Sequence, residues 1–356
     1  MSAADSVGSL LADIANLLAA AIRILTVSDK RHWGADEYEH KKALDAVLDE
    51  ARKDFQELSP LLNGQQIYEL DRRHQSLEEL RSMRRKFGIH VENLRDWTKA
   101  GGPIDPVWTR YLHVLQKDLH RTQCRAASRI FNSGQEYSTR CLGAYIVQRT
   151  QRSRSRSILS TASRDSNATK SGDIESVSEV VDETEGTRAY LAQLLACKRV
   201  GSFQRFGEQD IAFVCDFCDG HIVWEDLDRM PNSRTDQDAE NPAATTTRDS
   251  QPGLKPPQWQ ATGQRRSTSE EKQVIFAPIA VANHCAPPLN EWQAILLCPY
   301  CEVDAQQPQD QDDDEDPWKP EKEFDDLEGL QEHLEWQHGV AAGANTSSGG
   351  GSCTVM

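Results

Sequence analysis

At 356 residues the chain is long enough for two domains, and a hydrophobic share of 38% is too low for all of it to be packed core. A formal net charge of −16 excludes general attraction to phosphate backbones or anionic lipid, because both recruit basic surfaces. Nine cysteines with no secretory leader before them read as intracellular thiols used for metal, not as a disulfide framework.

The expected fold class is α+β. An N-terminal all-α helical bundle occupies 1–148, followed by a disordered Ser/Arg-rich linker over 149–184. A small zinc-stabilised β-rich domain over 185–339 ends in a finger helix, with disordered insertions at 228–271 and 304–320. A flexible tail covers 340–356.

Within the bundle, Leu10, Ile14, Leu17, Leu18, Ile22 and Leu25 recur at helical spacing. The run from Leu10 to Leu25 contains Asp13, Asn16 and Arg23, so it reads as too short and too polar to span a bilayer, which takes about 20 apolar residues. A second helix is predicted from Tyr38 to Leu58, with Leu44, Val47, Leu48, Ala51, Phe55 and Leu58 on one side. A third, from Gln65 to Phe87, carries Ile67, Leu70, Leu77, Leu80 and Phe87. Gly101, Gly102 and Pro103 interrupt the pattern. Asp105 then caps a helix that opens on Pro106 and carries Trp108, Leu112, Leu115 and Leu119. A last segment runs from Gln135 to Val147. No Gly-rich phosphate loop or nucleophile motif occurs, so no catalytic activity is expected. His32, His40, His74, His90, His113 and His120 read as ordinary surface or packed histidines.

The linker opens on Arg152-Ser153-Arg154-Ser155-Arg156-Ser157, which reads first as a solvated hinge. RNA binding, nuclear import and phosphorylation are its other uses. A helix from Thr187 to Lys198 follows, with Tyr190, Leu191, Leu194 and Leu195 as its stripe. Ile211 to Val214 leads into the knuckle Cys215-Asp216-Phe217-Cys218, and His221 to Trp224 leads out, in strand–knuckle–strand form. Val274 to Val281 and Trp292 to Leu297 read as further strands, the latter delivering Cys298.

Two C-x-x-C pairs lie 80 residues apart, counted from Cys218 to Cys298. The second is followed by Phe324, Leu330, His333 and His338. Two Cys and two His supply one tetrahedral zinc ion, and the Phe/Leu spacing packs two apolar side chains under the first ligating His. Cys298, Cys301, His333 and His338 are therefore expected to hold zinc. The first pair, Cys215 and Cys218, takes His284 as its favoured partner. Cys285 and His221 stay open for the remaining position, as does a single ribbon of the four knuckle cysteines. Every version makes zinc structural, one ion or two, because four protein ligands leave no open coordination position.

The stretch Cys298–His338 resembles the two-Cys two-His zinc finger family through Cys298, Cys301, Phe324, Leu330, His333 and His338. That resemblance implies a finger in which a helix supplies the two histidines. The family's usual gap of about 12 residues between the Cys pair and the first His is 31 here, Glu302 to Glu332. The excess is an acidic loop, Gln306 to Pro320. From Glu302 to His338 fifteen Asp/Glu stand against Lys319 and Lys322, a net of −13. A helix reading the major groove offers cations and amides, so protein partners fit better than nucleic acid, with Trp336 and Leu334 as contact candidates. Cys215–Trp224 and Cys298–His338 together also resemble uncharacterised zinc-finger proteins of filamentous fungi, a resemblance that implies no defined activity.

The chain reads to its end as Cys353-Thr354-Val355-Met356, a C-a-a-X terminus whose Met favours farnesyl. The functional expectation is a zinc-binding protein-interaction adaptor, farnesylated on Cys353 and held at the cytoplasmic face of a membrane. The alternative is a nuclear nucleic-acid-binding or transcription-regulatory zinc finger protein.

Overall fold

The structure is a computed structural model that describes residues 5–134, 140–151, 191–231, 260–304 and 323–338. The expected linker beyond residue 151, most of the two expected insertions, and the tail with Cys353 lie outside the described residues. The chain divides into two compact units. One reaches Leu142 and takes in Asp216–Cys218; the other comprises the remaining described residues from Gly143 on.

The first unit is helical. Helix α1, Val7–Val27, starts with a reciprocal cap, since Ser9 N donates to Ser6 Oγ at 3.2 Å and Ser6 N donates to Ser9 Oγ at 2.8 Å. By length and composition α1 is long and apolar enough to cross a membrane, contrary to the expectation from Leu10–Leu25, because the helix is longer at both ends. In the structure it packs Val7, Leu10, Ile14, Leu18, Ala21 and Leu25 inward. Helix α2, Ala35–Leu58, buries Leu44, Val47, Leu48 and Leu58. Its Glu37, 2% exposed, accepts from Gly34 N at 2.7 Å and Ile104 N at 2.8 Å, tying the helix start to the chain at Ile104.

The expected third helix is two helices. A short α3, Gln65–Glu69, stops before α4, His74–Ala100, because Asp71 O accepts from Val7 N at 2.9 Å and the Asp71 carboxylate pairs with Arg73. Those bonds hold residues 70–73 out of the helix. Ile67 and Leu70 consequently face solvent, while Tyr68 is buried against Phe55. Gly101 and Gly102, both at positive φ, end α4, and Asp105 caps α5, Pro106–Ser133, by accepting from Val107 N at 2.9 Å. Of the last predicted segment, 135–139 lie outside the described residues, and the chain is helical over 142–151 (α6).

The second unit is mixed. A helix over 191–200 (α7) buries Ala196, Cys197 and Val200; the predicted stripe residues Leu191 and Leu195 are exposed. Strands β1, Gly201–Phe206, β2, Asp210–Cys215, and β3, His221–Trp224, form an antiparallel sheet in that order. Gly201 sits so close to β2 that a Cβ would lie 2.3 Å from Val214 O, so the strand start requires glycine. The expected irregular insertion contains structure at its far end: β4, Gln260–Gln264, pairs with β5, Glu271–Ile275. Trp224 locks this hairpin to the sheet by donating its Nε1–H to Ile275 O at 3.0 Å.

The predicted strand Val274–Val281 ends at Ile275 and turns into α8, Ala277–Ala282. Pro278 explains the change, because it has no N–H for a ladder and suits a first helical turn. The strand expected over Trp292–Leu297 is reduced to β6, Leu296–Leu297, since its partner β7, Glu323–Phe324, offers only two positions. Helix α9, Pro299–Asp304, and helix α10, Leu327–His338, complete the unit.

Candidate metal centres

The second knuckle is built by β6, α9, β7 and α10. Leu296 pairs with Phe324 and Leu297 with Glu323, so the chain leaves the hairpin straight into Cys298. Asp326 Oδ1 accepts from Gly329 N at 2.8 Å and stabilises the first turn of α10. Four residues lie between His333 and His338, a spacing that brings both rings towards the knuckle. Leu330 and Leu334 are buried beneath the helix, and Phe324 lies against the His333 ring with centroids 4.8 Å apart.

Four donor atoms converge there. Cys301 Sγ lies 3.2 Å from His333 Nε2 and 3.3 Å from His338 Nε2. Cys298 Sγ lies 3.3 Å from His338 Nε2, and the two Nε2 atoms are 3.3 Å apart. A tetrahedral shell with Zn–S of about 2.3 Å and Zn–N of about 2.0–2.1 Å has edges of roughly 3.3 Å between nitrogens and 3.5 Å between nitrogen and sulfur. The observed edges fit that shell to within a few tenths of an ångström.

The first knuckle connects β2 to β3. Cys215 N donates to Gly220 O at 3.0 Å, Asp219 N donates to Cys215 O at 3.0 Å, and Asp219 adopts positive φ to close the turn. The ligand atoms of Cys141, Cys215, Cys218 and His284 all lie within 4.8 Å of one another. His284 is fully buried and its Nδ1 is 2.7 Å from Val281 O. An Nδ1–H donated to that carbonyl leaves Nε2 with the lone pair that coordination needs, the usual way a metal histidine is oriented.

Among the expected ligands, then, Cys215, Cys218 and His284 come together, and so do Cys298, Cys301, His333 and His338. The two Cys pairs belong to separate clusters, which disfavours the four-cysteine ribbon. Neither candidate for the remaining position joins the first cluster. His221 holds its Nδ1 3.0 Å from Asp219 O and packs its ring against Trp292 and Phe206. Cys285 is buried next to His284 and donates its backbone N–H to Ile295 O at 2.8 Å. Sequence reading missed Cys141, which stands outside any C-x-x-C spacing. Its only local signal is a cysteine just before a helix in a chain rich in metal-type thiols.

A different polar network sits in the helical unit. His120 Nδ1 lies 2.9 Å from Asp54 Oδ2, and Arg121 Nε donates to Asp216 Oδ1 at 2.7 Å. Burial opposes the charge on His120, but the Asp54 hydrogen bond and charge, with Asp216 and Glu50, outweigh it and raise its pKa. His40 and His90 face each other Nε2 to Nε2 at 3.1 Å, with Thr109 Oγ1 3.1 Å from His40 Nδ1. Burial pushes both down to about 4, so both rings are neutral at pH 7.

No protein-family model, no curated protein and no solved structure matches the chain.

Proposed function

We propose that the chain is a zinc-stabilised protein-interaction adaptor with two structural metal sites. Cys298, Cys301, His333 and His338 hold one ion. Cys215, Cys218 and His284 hold the other, with Cys141 as the fourth donor. In each, four protein donors fill a tetrahedral shell, which suits a structural ion and leaves no position for a substrate or water.

The observation that carries the interaction reading is the outer surface of α10. Trp336 is 86% exposed, whereas Leu334, the other contact candidate, is fully buried in the finger's own core. The described finger residues 323–338 carry Glu323, Asp325, Asp326, Glu328, Glu332 and Glu335 and no Lys or Arg. An exposed indole on a segment that carries carboxylates and no cations suits a Lys/Arg-rich segment of another protein: the charges steer it and the aromatic anchors it. The same charges repel a phosphate backbone.

The test uses the full zinc-loaded chain. Native mass spectrometry is expected to count two zinc ions, and the intact mass of cell-derived protein reports whether Cys353 carries a farnesyl group. Titration with a Lys/Arg-rich peptide is expected to change tryptophan fluorescence saturably, and Trp336→Ala is expected to abolish the change while keeping both ions. Steeply salt-dependent binding to random duplex DNA, with no peptide binding, would overturn the reading in favour of the nuclear alternative.

A further inference from the structure

The helical unit contains an apolar cavity of about 440 Å³ between α1, α2 and α3, inside the range usual for small-ligand pockets. Two features of the sequence create it. Its walls carry Ala12, Ala15 and Ala51 where a longer side chain would fill the space. The short α3 rides close over the first turn of α1, where a Cβ on Gly8 would lie 2.9 Å from Glu69 Cα, and α3 then ends too soon to cover the rest of the helix. Leu11, Phe55 and Leu70 complete the apolar lining.

A second observation points to an occupant. α1 is apolar on more than the face its neighbours cover: only 28% of its most apolar window is buried. The polar lining is also asymmetric. Arg52 on α2 is the cation; its ion pair with Asp49 is long, 3.9 Å, between side chains 61% and 78% exposed. Such a pair contributes little and yields readily to a better anion. Glu69 on α3 carries the opposite charge and takes a hydrogen bond from Gln65. An anionic head is therefore attracted to the α2 side and repelled from the α3 side.

We propose that this cavity binds a single-chain fatty acid, with the hydrocarbon over Ala12 and Ala15 and the carboxylate on Arg52. A guanidinium matches a carboxylate in charge and in its fork of donors. The site is independent of the zinc reading, since none of its lining residues belongs to either Cys/His cluster.

The experiment titrates the full zinc-loaded chain with palmitate and, in parallel, with the alcohol of the same chain length, below their micellar concentrations. One saturable site per chain is expected, with the acid bound roughly tenfold more tightly than the alcohol. Arg52→Gln is expected to remove that roughly tenfold preference. Ala15→Leu, which fills the cavity with apolar volume, is expected to abolish binding of both while the unfolding midpoint holds or rises. Equal binding by wild type and Ala15→Leu would overturn the proposal. So would an unchanged acid preference in Arg52→Gln, or a dimer in sedimentation that Ala15→Leu dissociates, which would assign the face to a second copy of the chain.

Discussion

The two Cys/His clusters differ in how much structure surrounds the donors. In the cluster of Cys298, Cys301, His333 and His338, two residue pairs of hairpin, the six-residue α9 and one 12-residue helix carry all four. A two-pair hairpin is not stable alone, and a helix of that length is marginal in water. In the cluster that includes Cys215, Cys218 and His284, the knuckle is the turn of a three-stranded sheet whose Phe213, Ile222 and Trp224 are buried. The difference separates two uses of a structural ion. In the first case a bound ion would substitute for a core; in the second it would pin chain segments onto a core that already exists.

The largest expected effect follows from that contrast. Stripping zinc with a strong chelator is expected to melt α10 and the β6–β7 hairpin while the β1–β2–β3 sheet persists, because binding energy and folding energy are the same quantity only where no other core exists. Amide hydrogen exchange reads both regions at once. Loss of protection over 323–338 alone is the expected result; equal loss over 201–224 would erase the distinction. Cys141→Ser sharpens it. Zinc content is expected to fall from two ions towards one under mild chelation, with the finger still protected.

The next effect in size lies inside the finger. Leu334 is fully buried, so Leu334→Ala is expected to cost about 2–4 kcal/mol of holo-finger stability through lost burial and a residual cavity. In the first cluster's sheet the same kind of truncation is shared with a larger core. Thermal unfolding of the zinc-loaded chain, followed by exchange at 323–338, checks the value.

The two clusters also differ in how plainly the sequence displays them. Cys298 to His338 is one stretch in which ligands and the two core positions Phe324 and Leu330 recur at helical and knuckle spacing, so the site is readable as a pattern. His284 is readable as a titratable residue on a strand-like segment leading back to a knuckle. Cys141 is not, because tertiary placement alone brings it to Cys215 and Cys218. The helical unit shows the same limit. Its apolar periodicity marks α1, α2 and α5, but the break at Leu70–Arg73 depends on a bond from Val7 N to Asp71 O, a contact between segments far apart in sequence. The strand expected over Val274–Val281 failed for a local reason that was legible: Pro278 suits a first helical turn better than a ladder.

The smallest effect comes from a pair of histidines that mimics half of a metal site. His40 and His90 hold their Nε2 atoms 3.1 Å apart, as His333 and His338 do at 3.3 Å. What differs is the company. The finger pair meets two cysteine sulfurs; the helical pair meets the Thr109 hydroxyl and the Trp108 ring. Without anionic donors the helical pair is a neutral hydrogen bond, and burial holds both rings down to about 4. Unfolded histidines titrate near 6.5, so between that pH and about 4 the unfolded chain takes up protons that the folded chain refuses. Stability from this source is therefore fully present above pH 6.5 and is lost as pH falls towards 4, by about 2 kcal/mol per ring between pH 7 and 5. His90→Phe removes one of the two rings and is expected to halve the loss of helical-unit stability over that interval. Denaturant midpoints at pH 7 and pH 5, compared between wild type and variant, cancel the acid release of zinc, which both proteins share. An undiminished loss in the variant would mean that burial does not hold the pair neutral.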